Sequence, residues 1–276
     1  MPNIAYPPGR PLSVGEVLDL TFRIYRATVV RCMLLAGCAV LAGELWRIYA
    51  VVRGQQLTNL QSLLALLRDP RFLALYIVGL LLQLVLLSAV ILRQYHLISG
   101  PDSGGEVGAA ARRLPAIVGL GLLFTLTCGA CFLPVLVGGA LRPLFVLLGL
   151  VALSYVLVAL LPGHTILLTE RADPLASYQR SWRLTQGSFW RLSLIYFIAT
   201  LILFAIYWVL LIVIGVLGLI LGRGDVAVMT ATGAVLGVAL GALVVPLYTA
   251  LSIAILADLK VRREGTDLEQ RIAAAA

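Results

Sequence analysis

An all-α integral membrane protein is the fold class this sequence predicts, and three observations predict it. Hydrophobic residues make up 61% of the 276 positions and charged residues 12%, where globular domains hold roughly half and a quarter. Six apolar runs are each long enough to cross about 30 Å of hydrocarbon, which takes about 20 helical residues. Lys and Arg are divided unevenly between the loops that join those runs, as topology signals are. The net charge of +8 is therefore read as positive-inside bias, and nucleic acid is not an expected partner. Cys32, Cys38, Cys128 and Cys131 all lie inside apolar runs, where a thiol acts as a small hydrophobe.

The opening "MPNIAYPPGRPLSVGEVLDL" has no apolar core of signal-peptide length, so the first span is expected to direct insertion and the mature chain to be the whole chain. Spans are predicted near residues 29–52, 72–98, 114–137, 143–169, 191–222 and 226–259, in one membrane domain covering 1–276. Only "GGALRP" (138–143) separates the third from the fourth, and its two glycines and proline make a tight turn. Both chain ends then lie on one side, which collects fifteen basic residues against six on the other (Arg47, Arg53, Arg68, Arg71, Arg142 and Arg223). Loop Lys and Arg mark the cytoplasmic face, so both termini are expected inside, with 266–276 a short cytoplasmic tail. The longest outer loop, 53–71, carries "LQSLLALLRDP", an apolar helical turn or two lying on the outer surface. Pro134 and Pro246 are expected to kink the third and sixth spans.

Three amphipathic segments precede the first, third and fifth spans. In "DPLASYQRSWRLTQGSFWRL" (173–192), Asp173 and Pro174 start a helix, the carboxylate accepting from free amides, and Gly187 ends it. Leu175, Tyr178 and Trp182 share one face and Arg180 and Arg183 another, with Leu184 off the pattern, which places indole and guanidinium at headgroup depth. "SVGEVLDLTFRIYRATVVR" (13–31) opens on a capping box of Ser13 with Glu16. Val14, Val17, Leu18, Phe22 and Tyr25 form its apolar stripe and Glu16, Asp19, Arg23 and Arg26 its polar one, with Asp19 and Arg23 an i, i+4 pair. "SGGEVGAAARRLPAIVG" (103–119) repeats Ser, Gly, Glu and Val at matching offsets, and Arg23, Arg113 and Arg183 each stand ten positions after the cap residue. Two readings fit: three tandem units of amphipathic helix plus membrane hairpin (about 11–98, 101–169 and 173–265), or three unrelated cytoplasmic-side interfacial helices, each with the cap and arginines such a helix acquires in any case.

The order and spacing of "LPGHTILLTERADPLASYQRSWRLTQGSFWRL", "RPLSVGEVLDLTFRIYR" and "ADLKVRREGTDLE" resemble the six-span membrane domain attached to some bacterial glycerophosphodiester phosphodiesterases and found alone in other inner-membrane proteins. The resemblance covers nearly the whole chain and implies the fold and a bacterial inner-membrane setting. It does not imply phosphodiesterase activity. The hydrolytic domain of that family uses histidines and a carboxylate cluster around a divalent metal, whereas here His96 and His164 lie in separate apolar contexts and no soluble segment could house that domain.

Candidate site residues fall into three groups. Arg23, Arg26, Arg112, Arg113, Arg180, Arg183 and Arg191 are expected to engage lipid headgroups, with Trp182 and Trp190 setting depth. Glu44, Arg47, Gln83, His164 and Glu170 are the polar candidates at membrane depth. Glu44 with Arg47 reads either as an intrahelical pair or as part of a path with Gln83, Ser88 and His164; Glu170 reads either as bridging His164 to the following helix or as a partner for Arg171, Arg180 or Arg183. Gly233, Gly237 and Gly241 form a smooth stripe for close packing, within the bundle or across a homodimer. Asp258 and Arg262 are a further i, i+4 pair. "CGAC" (128–131) has redox or zinc spacing but no second ligand pair, no nucleophile stands with a base, and no catalytic residue, cofactor or metal is expected. The function expected is a non-enzymatic inner-membrane module that binds membrane lipids, anionic ones by charge, and organises or supports a membrane protein partner. The alternative is a transporter or channel, with lipid as one cargo, along Glu44, Gln83 and His164.

Overall fold

Hydrocarbon offers no hydrogen bonds, so each apolar run must close its own as a helix. The computed structural model describes residues 6–53, 66–100, 104–222 and 226–265, and these are all-helical, without strands. In chain order the elements are α1 (Val14–Val52), α2 (Pro70–Ser99), α3 (Glu106–Arg112), α4 (Leu114–Ala130), α5 (Leu133–Val137), a 3-10 turn (Gly139–Leu141), α6 (Arg142–Thr169), α7 (Pro174–Thr185), α8 (Phe189–Gly222) and α9 (Val226–Glu264). α1, α2, α6, α8 and α9 are long and apolar enough to cross a membrane, and α3 with α4, bent by 59°, is a sixth candidate.

α1 packs along both α2 and α9, and α9 along α8. At 39 residues α1 rises about 58 Å, so the segment read as a separate amphipathic helix (13–31) is instead the start of one uninterrupted helix. No glycine or proline lies between Glu16 and Ala36 to break it. The reciprocal cap is formed: Ser13 N–H donates to Glu16 Oε2 at 2.7 Å and Glu16 N–H to Ser13 Oγ at 3.3 Å. The buried stripe runs through Val17, Leu20, Thr21, Ile24 and Thr28, whereas Phe22, placed on the apolar stripe from sequence, is exposed. Thr21 and Thr28 can be buried because each hydroxyl donates to the carbonyl one turn back, Val17 O and Ile24 O, at 2.8 Å. Only a methyl is left to pack.

The third span is shorter than the predicted 114–137. α4 ends at Ala130 and the chain turns at Cys131 and Phe132, because Pro134 lacks the amide that would bond the Ala130 carbonyl. Tight turns keep the backbone satisfied there: Phe132 N–H bonds Gly129 O and Val135 N–H bonds Phe132 O, both at 3.0 Å. The Cys131 thiol donates to Thr127 O at 3.4 Å, so one cysteine of "CGAC" helps close this turn. α9, by contrast, continues through Pro246.

Of the glycine stripe, Gly241 lies at a helix crossing: a Cβ there would stand 2.6 Å from Val40 Cγ2 of α1, while Gly233 and Gly237 have nothing within 4 Å among the described residues. At the far end of α1, Tyr49 donates to Asp69 Oδ2 at 2.8 Å, and Asp69 Oδ1 caps α2 by accepting from Arg71 N–H at 3.0 Å. The Tyr49 bond first, and then the Arg71 amide, hold the Asp69 carboxyl below its ordinary range. Leu66, with Ala50 and Phe72, is buried beneath this cap; the rest of the predicted outer-surface turn (54–65), Ser103, Arg223 and the tail 266–276 lie outside the described residues.

Gly241→Leu should destabilise the bundle by about 1–3 kcal/mol through overpacking, and Gly237→Leu should not, as read by thermal unfolding in lipid nanodiscs; equal melting temperatures would contradict the α1–α9 crossing. The Asp69 cap has its lower pKa in the folded state, so its contribution is present above about 3.9 and lost as pH falls through the folded value. Trp46 packs edge-on against Phe72 and Tyr76. With the other tryptophans changed to Phe, its emission should stay constant above about pH 5 and shift below about pH 4, and Asp69→Asn should remove that response.

Candidate functional site

The up-and-down path brings the start of α1, the end of α2, the start of α4, the end of α6, the start of α8 and the end of α9 into one large core cluster. Asp258, between Ala257 and Leu259 at this end of the bundle, is 1% exposed. Its Oδ1 accepts from Leu12 N–H at 2.8 Å, its Oδ2 from Arg191 Nη1 at 2.6 Å, and both oxygens from Arg262 Nε at 3.2 Å. The Leu12 carbonyl accepts from Arg191 Nη2 at 2.6 Å and also from Arg262 Nη2. One carboxylate thus ties the segment before α1 to the start of α8 and the end of α9.

A second ionic group lies at the same end. Glu170, just past α6, pairs with Arg180 of α7 at 2.8 Å and with Lys260 of α9 at 2.6 Å, and Arg180 also pairs with Glu264 at 2.6 Å. The partner expected for Glu170 is therefore Arg180, not Arg171 or Arg183. Arg113 donates to Leu167 O at 2.5 Å, satisfying one of the free carbonyls that end α6. The N-terminal segment folds over this region, with Tyr6 edge-on to Tyr95 at 6.1 Å, and burial raises the Tyr6 pKa.

The arginines chosen from sequence thus divide. Arg113, Arg180 and Arg191 bond within the protein, and Arg23 pairs with Asp19 at 2.6 Å. Arg26 on α1, Arg112 on α3 and Arg183 on α7 are exposed and have no ion pair or hydrogen bond among the described residues. Trp190 is 83% exposed, while Trp182 packs edge-on to Tyr155 at 5.4 Å.

α7 docks by a face other than the one its apolar residues suggest. Ser177, Ser181, Leu184 and Thr185 are buried and Leu175 is 56% exposed. Ser181 Oγ donates to Ala159 O at 2.7 Å, and a Cβ on Gly163 would meet the Ser181 Cβ at 3.5 Å. Small side chains permit this approach, and Leu184, off the wheel pattern, belongs to it. Asp173 occupies the cap position but makes no side-chain cap bond.

Within the bundle, Gln94 is fully buried and was missed from sequence. Its Nε2 donates to Thr28 Oγ1 at 3.0 Å and Pro246 O at 2.9 Å, and its Oε1 accepts from Thr249 Oγ1 at 2.6 Å, joining α1, α2 and α9. The available signal was an amide in the same apolar run as Gln83, with hydroxyls on two other runs to pair with it. Glu44 pairs with Arg47 at 2.9 Å on its own helix, Gln83 lies over Gly43, and His164 Nε2 is 3.0 Å from Ser88 Oγ. No bond links Glu44, Gln83 and His164 to one another among the described residues. His164 lines a cavity of about 210 Å³ between α2, α4, α6 and α7, whose walls include Leu84, Ile117, Phe124, Leu160 and Tyr178. Tyr178 closes one side by donating to Thr127 Oγ1 at 2.9 Å, since the Thr127 hydroxyl itself donates to Leu123 O at 2.8 Å.

Asp258→Asn should cost about 3 kcal/mol, because it removes the charge that the half-buried Arg191 guanidinium faces and leaves a buried amide among its donors, whereas Arg262→Gln should cost about 1 kcal/mol, the Arg191 pair remaining. Melting temperatures in nanodiscs check this; equal losses would show that Asp258 is not the centre of the network. No protein-family model, curated protein or solved structure matches the chain.

Proposed function

We propose that this chain is a non-enzymatic, multi-pass protein of the bacterial inner membrane, with both termini cytoplasmic, that engages anionic lipid headgroups and organises or supports a membrane protein partner. The observation that carries this reading is the set Arg26, Arg112 and Arg183 on α1, α3 and α7, exposed and without an ion pair or hydrogen bond among the described residues. Unpaired guanidinium groups beside long apolar helices are suited to phosphate, which they can bind bidentately, and the exposed Trp190 indole fits the same depth. The placement of the termini rests on the fifteen-to-six division of basic residues and on Leu12 meeting Asp258, which puts the segment before α1 beside the end of α9. In this reading α7 and α3 lie along the cytoplasmic surface, each leading into a membrane hairpin, while the basic start of α1 projects from that surface as a continuation of the first span. The likeness to the six-span domain beside bacterial glycerophosphodiester phosphodiesterases supports the setting.

The test uses the full chain extracted in native membrane discs. Each basic group near a charged leaflet contributes about 1 kcal/mol, so changing Arg26, Arg112 and Arg183 together to Gln should lower the co-extracted anionic lipid at least about fivefold. An unchanged anionic fraction in a protein with the wild-type melting temperature would overturn the headgroup reading. A stoichiometric second protein in the same discs is the expected partner; its reproducible absence would overturn the supporting role.

A further inference from the structure

We propose that the cavity beside His164 holds one acyl chain of a membrane glycerolipid, with the chain's ester carbonyl accepting a hydrogen bond from His164; this rests on the membrane-embedded, lipid-engaging reading above but not on its arginines.

The donor is assigned from the hydrogen-bond network. Ser88 is fully buried, and its hydroxyl makes one bond, to His164 Nε2 at 3.0 Å. Unlike Thr21 or Thr28, it does not donate to its own helix. A buried hydroxyl with one acceptor in reach donates to it, so Nε2 is the unprotonated nitrogen and Nδ1 carries the proton. Nδ1 has no partner among the described residues. It is also not sealed from contact, in contrast to Nδ1 of His96. With His164 in its wall beside Leu84, Ile117, Phe124 and Leu160, the cavity is mostly apolar, which suits an apolar occupant carrying one hydrogen-bond acceptor for Nδ1.

Size and position narrow the class. At about 210 Å³ the cavity is smaller than the roughly 300–1,000 Å³ of small-molecule sites. Its side is open where Gly121 is exposed and a Cβ would meet nothing within 4 Å. A site too small to enclose a ligand, open beside α4, takes part of a long molecule that continues outside it. Ser88 lies six residues before Gln94 on α2, about 9 Å deeper along the axis, and Gln94 bonds Thr28, which stands between Arg26 and Arg31. His164, opposite Ser88, therefore lies about 9 Å further into the apolar part of the bundle than Gln94.

The experiment uses the full chain in nanodiscs carrying photoactivatable phosphatidylglycerol or phosphatidylethanolamine, each in ester-linked and ether-linked forms of the same chain length. In the wild-type protein the ester form should label residues 117–124 and 160–164 about fivefold more than the ether form, the effect of one hydrogen bond of ~1 kcal/mol. His164→Phe should remove that difference, and Gly121→Leu should lower labelling by both forms about tenfold, as a filled cavity requires. Equal ester and ether labelling in the wild type would overturn the carbonyl contact without needing any variant to fold. Labelling unchanged in Gly121→Leu at the wild-type melting temperature would overturn the cavity as the site. Phosphatidylethanolamine should label as well as phosphatidylglycerol, so failure of the arginine-headgroup reading leaves this result standing and failure here leaves that one standing.

Discussion

A carboxylate sealed from water must be neutralised where it stands, and Asp258 meets that constraint with two arginines and a backbone amide. The desolvation cost of such a group is several kcal/mol, offset only when geometry and hydrogen bonding are complete. Each of its partners comes from a different part of the chain: Leu12 before α1, Arg191 at the start of α8 and Arg262 on its own helix. The arrangement is satisfied only when α1, α8 and α9 are in register, so one buried charge specifies how three long apolar helices are assembled. Dispersion among leucines and valines could accept several registers; an unpaired Asp258 could not.

The same logic recurs at lower energy along the bundle. Gln94 finds acceptors for both of its amide N–H groups and a donor for its oxygen on α1 and α9, and Ser181 finds the Ala159 carbonyl at a contact beside Gly163. Between apolar helices in lipid there is no hydrophobic drive to associate, so close approach of small residues and interhelical hydrogen bonds decide which faces meet. At these contacts α7 buries Ser177, Ser181 and Thr185 together with Leu184, and α1 buries Thr21 and Thr28 together with Val17, Leu20 and Ile24.

Function, in the reading proposed, lies with what this assembly leaves unused. Arg113, Arg180 and Arg191 are committed to carbonyls and carboxylates inside the protein, whereas Arg26, Arg112 and Arg183 are not. His164 bonds Ser88 through one nitrogen and has no partner for the other among the described residues. Lipid headgroup and acyl ester are the acceptors that a bilayer supplies to such donors.

The sequence by itself determined that the chain is helical and where five of its six predicted runs could cross a membrane, because span length and apolarity are properties of each segment alone; for the third run the structure has two helices, α3 and α4, bent by 59°. It also determined local pairs that need only neighbouring residues: Ser13 with Glu16, Asp19 with Arg23, Glu44 with Arg47 and Asp258 with Arg262. Tertiary structure alone decided that 13–31 continues into the first span without a break, that Leu184 rather than Leu175 faces the bundle, and that Gly241 but not Gly237 is a contact. It also decided which arginines are internal and that Gln94 is the amide buried across three helices. These outcomes depend on which partner stands opposite a face, and a helical wheel records the direction of a side chain without recording what it meets.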